Sequence, residues 1–223
     1  MIKPDLIIFD CDGVLVDSEV LSCRCLSEAL AGNGIQVGVD QVLDLFLGQS
    51  IAAVLDHYRE SGLLNSEQFS AELAAKVRAA FRSGLGPVAG VRAVLERLRI
   101  PCCVASSSDF DRVTFSLSLT GLESHFGTRL YTSQMVERGK PDPEPYRRGA
   151  ELIHSPAADC LVVEDAPSGV GAGIAAGCRV LGVLGTHTED ELRAAGASWI
   201  VRSLEDVSAQ TGPKGLSLNL KTI

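Results

Sequence analysis

Ile7-Ile8-Phe9-Asp10-Cys11-Asp12-Gly13-Val14-Leu15-Val16-Asp17-Ser18 starts as an apolar run and passes, without a spacer, into two carboxylates and a glycine. Three consecutive β-favouring residues mark a strand buried on both faces, and such strands belong to parallel sheets covered by helices. A carboxylate at the end of a buried strand is costly unless a cation or hydrogen-bond donors meet it. Side chains two apart on extended chain point the same way, so Asp10 and Asp12 converge if the chain is still extended there. Taken alone, the stretch fits an Asp-x-Asp-Gly turn almost as well, since Asp and Gly are ordinary turn residues.

Outward from this stretch the chain changes character twice. After Ser18 the apolar spacing is helical: Leu21, Cys25, Leu26, Ala29 and Leu30 mark one helix, and Gly32-Asn33-Gly34 ends it. Ser50 is expected to cap a helix from Ile51, and Ser66 to cap the longest one, which carries Phe69, Leu73, Val77 and Phe81. From residue 86 strand and helix alternate, the pattern of a parallel sheet: Cys102 to Ala105, Arg129 to Tyr131, Leu161 to Val163, Val180 to Leu184 and Trp199 to Val201 read as strands. The expected fold is therefore α/β: a Rossmann-like parallel-sheet core from residues 1–16 and 86–210, with an all-helical insert, 17–85, after the first strand. Residues 211–223 lose periodicity and are expected to form a loosely held tail.

Composition excludes several functions. With 223 residues and 46% hydrophobic content the chain can bury a real core, and a net charge of -8 with scattered basic residues argues against nucleic acid as partner. The N-terminal segment has acids at positions 5, 10 and 12 and no long apolar stretch, so neither a signal peptide nor a membrane span is expected, and the compartment is read as cytoplasmic. The cysteines at 11, 23, 25, 102, 103, 160 and 178 contain no C-x-x-C pair and read as small buried hydrophobes. Cys11 has no base placed for it and reads as a spacer.

What decides the opening stretch is the set of residues at the other strand ends. Ser106 and Ser107 follow the second strand, Lys140 sits in the rigid Gly139-Lys140-Pro141-Asp142-Pro143 loop after the third, and Glu164-Asp165 follow the fourth. In an open parallel sheet the carboxyl ends of strands line one crevice where the strand order reverses. Several carboxylates gathered there need a cation, and oxygen ligands without a His or Cys cluster favour Mg2+. Lys140 and Ser106 would hold an anionic group beside that ion. A metal, a lysine, a hydroxyl and a free carboxylate around one anion describe phosphoryl transfer: one Asp attacks phosphorus, and a second acid, Asp12, moves the proton.

Asp10 to Ser18, Val104-Ala105-Ser106-Ser107, Gly139 to Pro143 and Val163-Glu164-Asp165-Ala166-Pro167-Ser168-Gly169 together resemble, in order and spacing, the four motifs of the haloacid dehalogenase-like hydrolase superfamily. The resemblance extends over roughly residues 5 to 205 and includes a helical cap of the β-phosphoglucomutase-like and sugar-phosphatase branch. It implies Asp10 as nucleophile and Asp12 as general acid/base. It implies Mg2+ held by the Asp10 carboxylate, the Asp12 backbone carbonyl and Asp165, with Glu164 assisting directly or through water. Ser106, Ser107 and Lys140 would bind the phosphoryl group, and Gln49 and Ser50 in the cap would meet the substrate.

Asp12 points to phosphate esters, because the dehalogenases of this superfamily lack a carboxylate there. The expected activity is a phosphatase acting on a small phosphorylated metabolite, a sugar phosphate or a phosphorylated sugar acid, with the chain a monomer. The alternative is a β-phosphoglucomutase-like sugar phosphomutase, weakened by Ser22 where that pattern has a His and by Ile51 after Gly48-Gln49-Ser50. A non-enzymatic alternative is a regulatory protein that binds a phospho-ligand on the same scaffold.

Overall fold

The computed structural model describes residues 2–49, 51–151, 154, 156–212 and 215–223, without the side chains of 210–212, 215 and 216. The chain folds as two compact units: Met1–Val16 with Pro87–Ile223, and Asp17–Gly86.

The larger unit is built on strands β1 (Leu6–Phe9), β2 (Cys102–Ala105), β3 (Leu130–Tyr131), β4 (Cys160–Glu164), β5 (Arg179–Val183) and β6 (Trp199–Val201). They form one six-stranded sheet in the order β3-β2-β1-β4-β5-β6, and every neighbouring pair is parallel. Parallel strands need crossover connections, so the order reverses between β1 and β4. Phe9 lies level with Val104 on β2 and with Val163 on β4. The residues that follow β1, β2 and β4 therefore emerge at one end of the sheet. β1, β2 and β4 are buried along their whole length, as continuous apolar runs require when helices cover both faces.

In the helical unit, α1 (Glu19–Gly32), α2 (Val39–Phe46), α3 (Ile51–His57) and α4 (Ser66–Gly84) enclose a core of Cys23, Leu26, Ala29, Leu30, Val42, Phe46, Val54 and Phe69. The cap of α4 lies one residue earlier than expected. Asn65 is the N-cap, its side chain accepting from the Gln68 backbone N–H at 3.0 Å, and Ser66 is the first helical residue. Asn and Ser are about equal as caps, so the composition of this segment does not choose between them. The expected capping role of Ser50 falls outside the described residues.

The helices covering the sheet are α5 (Val91–Arg97), α6 (Phe110–Thr120), α7 (Glu123–Phe126), α8 (Glu144–Glu151), α9 (Pro167–Ala175) and α10 (Glu189–Ala194). Asp109 caps α6 by accepting from Arg112 N–H at 2.8 Å, and Pro167 stands at the start of α9, where its missing donor costs nothing. Gly149 on α8 and Gly173 on α9 allow close packing: a Cβ on Gly149 would lie 2.9 Å from Ile8 Cδ1, and one on Gly173 2.8 Å from Val180 Cγ2.

The C-terminal segment corrects the expectation of a loose tail. β7 (Val207–Gly212) and β8 (Gly215–Leu220) pair as an antiparallel hairpin, and Leu218 is buried. Ile2 and Leu218 exchange both backbone hydrogen bonds, at 3.0 and 2.8 Å. The segment alternates Leu216, Leu218 and Leu220, a strand period too short to stand out, and one of its partners lies at the opposite end of the chain.

Candidate active site

Beyond Phe9 the chain leaves the strand but stays on the β4 side, since Asp10 N–H donates to Val163 C=O at 3.0 Å. It then turns tightly: Leu15 and Val16 N–H both donate to Cys11 C=O, at 2.9 and 3.0 Å, and Gly13 has φ +77°. Only glycine adopts that conformation without strain, and a Cβ there would lie 2.0 Å from Asp165 Oδ2. The turn sends Asp10 and Asp12 to different partners.

Asp10, Glu164 and Asp165 are all buried, and one carboxylate oxygen from each lies within 4.8 Å of the others. Lys140 Nζ sits among them, 2.5 Å from Asp10 Oδ1 and 2.7 Å from Glu164 Oε1. Burial pushes the Asp10 carboxyl up to about 7 against the pull of Lys140, and the neighbouring Glu164 charge adds to the rise. Burial lowers the Lys140 ammonium, but attraction to Asp10 and Glu164 outweighs it and leaves the group firmly protonated. The loop lysine is thus a fixed positive charge against the acids of two separate strand ends.

Glu164 is anchored on every side. Its Oε1 also accepts from Tyr146 O–H at 2.6 Å, and its Oε2 accepts from the backbone N–H groups of Asp165 and Ala166, each at 3.0 Å. Tyr146 is fully buried, and its ring lies 4.9 Å beneath Lys140 Nζ, so one aromatic side chain supports both partners of the ion pair. Gly169 leaves the room that Glu164 fills, because a Cβ there would lie 1.7 Å from Oε1.

The donor set fits a hard divalent cation. It is all oxygen, it spans strand ends that only the sheet brings together, and Gly13 and Gly169 leave the room that the Asp165 and Glu164 carboxylates occupy. Lys140 offsets part of the acidic charge through its pairs with Asp10 and Glu164.

Asp12 does not join that cluster. Its Oδ2 accepts from Ser108 O–H at 2.6 Å and its Oδ1 from Arg112 Nη2 at 3.0 Å. Convergence is expected only for extended chain, and here the chain turns on Cys11 C=O with Gly13 at positive φ, so Asp12 takes partners different from those of Asp10. Cys11 is a buried spacer: burial first, then the Asp12 and Asp10 charges, push its thiol well above the ordinary value, and its carbonyl closes the turn.

The chain matches the haloacid dehalogenase-like hydrolase family over residues 7–183, a span holding all of these groups. It belongs to that family. This hydrolase is 30% identical to hexitol phosphatase A of Escherichia coli over 217 residues, covering 93% of this chain and 95% of the relative. It is 28% identical to the 6-phosphogluconate phosphatase of the same organism over 182 residues, 81% and 82% of the two chains. A HAD family hydrolase from Deinococcus radiodurans, solved with bound phosphate and sodium, superposes with a TM-score of 0.76 at 28% identity, covering 92% of this chain and 93% of that one.

In the hydrolase, Ser106 is buried directly after β2, and its hydroxyl accepts from Ser108 N–H at 3.0 Å. Ser107 is exposed beside it. Gln49 is an exposed residue of the helical unit, its N–H donating to Phe46 C=O at 3.0 Å, and Ser50 lies outside the described residues. Three residues that sequence reasoning did not single out for the site meet its acids: Tyr146, Ser108 and Arg112. Ser108 follows the Ser106-Ser107 motif directly, and Arg112 lies one helical turn further on, so that proximity was the available signal.

Proposed function

We propose that this hydrolase is a Mg2+-dependent phosphatase that cleaves a small phosphorylated metabolite, a sugar phosphate or a phosphorylated sugar acid, through an aspartyl-phosphate on Asp10. The observation that carries this reading is the placement of Lys140 between Asp10 and Glu164, with Asp165 alongside and Asp12 on partners of its own. A nucleophile and a proton carrier must act on different atoms of one ester, so two acids with separate partners suit the task better than two that merge.

Asp10 attacks phosphorus in line, the bond from phosphorus to the leaving oxygen breaks, and Asp12 hands its proton to that oxygen. Water then attacks the same phosphorus while Asp12 takes a proton from it, and the bond to Asp10 breaks to release phosphate. Lys140, Ser106 and Ser107 hold the phosphoryl oxygens, and the Glu164 and Tyr146 contacts keep the lysine aimed. Asp10, Asp165, the Asp12 backbone carbonyl and Glu164, directly or through water, would hold Mg2+. When bound, the ion offsets charge on the phosphoryl oxygens. Glu164 already accepts four hydrogen bonds, which favours contact through water. Gln49 and Ser50 are assigned to substrate contact on the sequence pattern alone.

Phosphate release from a panel of sugar phosphates and phosphorylated sugar acids, with and without Mg2+, tests the reading against Asp10→Asn. Metal-dependent release that the variant lacks is expected. Turnover no greater than the variant's across the panel would sink the enzyme reading, and formation of an isomeric sugar phosphate without free phosphate would replace it with a mutase.

A further inference from the structure

We infer that Arg112, with Ser108, is a positioning residue for Asp12, orienting the carboxylate that moves the proton. The inference rests on the phosphatase reading. Each oxygen of Asp12 has its own donor, Oδ2 from Ser108 O–H at 2.6 Å and Oδ1 from Arg112 Nη2 at 3.0 Å. The pair is not a solvated surface contact, for the Arg112 and Asp12 side chains are only 28% and 25% exposed. A carboxylate held at both oxygens loses its rotational freedom, and its approach to the leaving oxygen is set by the donors that hold it.

The donors are themselves held by the loop that follows β2. Arg112 N–H is fixed by the Asp109 cap at 2.8 Å, so the arginine leaves the helix at a set point. Ser108 N–H donates to Ser106 Oγ at 3.0 Å, and Ser108 C=O accepts from Ser133 N–H at 3.2 Å. Ser106 is the residue assigned to the phosphoryl group, so one short loop would orient the phosphate and the proton carrier together. Asp12 and Arg112 are 100 residues apart in sequence, and the β1–β2 pairing brings them together. Lysine at position 112 would supply charge without the planar fork, so it reproduces the contact only in part.

The test compares Arg112→Ala, Arg112→Lys, Ser108→Ala and Asp12→Asn with the unaltered enzyme on two probes, glucose 6-phosphate and p-nitrophenyl phosphate, with thermal melts to establish folding. Arg112→Ala is expected to lower kcat on the alkyl ester about 10- to 100-fold with KM within about twofold, and Arg112→Lys to recover part of the loss. The burst of p-nitrophenolate, whose leaving group needs no proton, should change little. Combined with Asp12→Asn, Arg112→Ala should add no further loss, because a positioning residue has nothing left to position. Independent losses in the double variant, a raised KM at constant kcat, or unchanged rates in both Arg112→Ala and Ser108→Ala would each overturn the inference. If the unaltered enzyme turns over neither probe nor any member of the phosphate-ester panel, the phosphatase reading falls first and carries this inference with it.

Discussion

β1 and β4 lie side by side and both end in acids, yet the two ends behave differently. After β1 the acids are two apart, and their carboxylates take different partners: Asp10 goes to Lys140 and Asp12 to Ser108 and Arg112. After β4 the acids are adjacent, and both join one cluster with Asp10. On extended chain the opposite would hold. The difference lies in how each strand stops. β1 gives way to a turn closed on Cys11 C=O with Gly13 at positive φ, whereas Glu164 is still in strand and folds its carboxylate back onto the N–H groups of Asp165 and Ala166. Sequence spacing therefore predicts shared direction only while the backbone stays regular.

The largest effect should come from breaking the division of labour at β1. Asp10→Asn is expected to remove turnover by about a thousandfold or more, and Asp12→Asn to cost roughly 100-fold to 10,000-fold on alkyl phosphates. Mass spectrometry of enzyme quenched during turnover should find phosphate on Asp10 in the unaltered chain; an unmodified Asp10 with activity intact would break the assignment.

Next comes the residue that couples the two ends. Gly13→Ala would place a Cβ against Asp165 and force a positive φ on alanine, so a stability loss of about 2 kcal/mol or more is expected from urea unfolding. Equal stability would mean that the turn can be rebuilt and that the contrast between the strand ends is not imposed by it.

The β4 end is probed more gently by Tyr146→Phe. Removing one hydroxyl takes a donor from a buried carboxylate, with an expected cost of about 1.5–3 kcal/mol and weaker protection of Lys140. A neutral outcome would show that the lysine and the two backbone donors satisfy Glu164 without it.

The smallest effect belongs to Glu191, an exposed carboxylate that also accepts several donors. The Thr188 backbone N–H and hydroxyl hold it below the ordinary value of 4.5 in a capping box. A depressed folded-state value gives stability that is present above the unfolded value and lost as pH falls through the folded one. Glu191→Gln should lower the melting temperature slightly at neutral pH, with the difference vanishing in acid. A difference that persists in acid would rule out the carboxylate charge as its source.

Much of the fold was legible because its signals are local. Apolar runs at Leu6 to Phe9, Cys102 to Ala105 and Leu161 to Val163 announce buried strands, and alternation with helices implies parallel pairing. The acids and Ser106 were legible because charged and polar residues directly after such runs require partners, and Lys140 because it sits in a loop made rigid by two prolines after the third strand. The hairpin of β7 and β8 was not legible, since its contact with Ile2 joins opposite ends of the chain.

By itself the sequence determined the order of strands and helices, the acids and lysine at the sheet's carboxyl end, and through its motifs the family. Tertiary structure alone decided which acid faces which partner. Asp12 meets Ser108 and Arg112 across 96 and 100 residues, and Lys140 meets Asp10 across 130. Periodicity records the direction of a side chain relative to its own backbone. Which donor stands in that direction depends on the turn that ends the strand and on the neighbour that the sheet order places beside it.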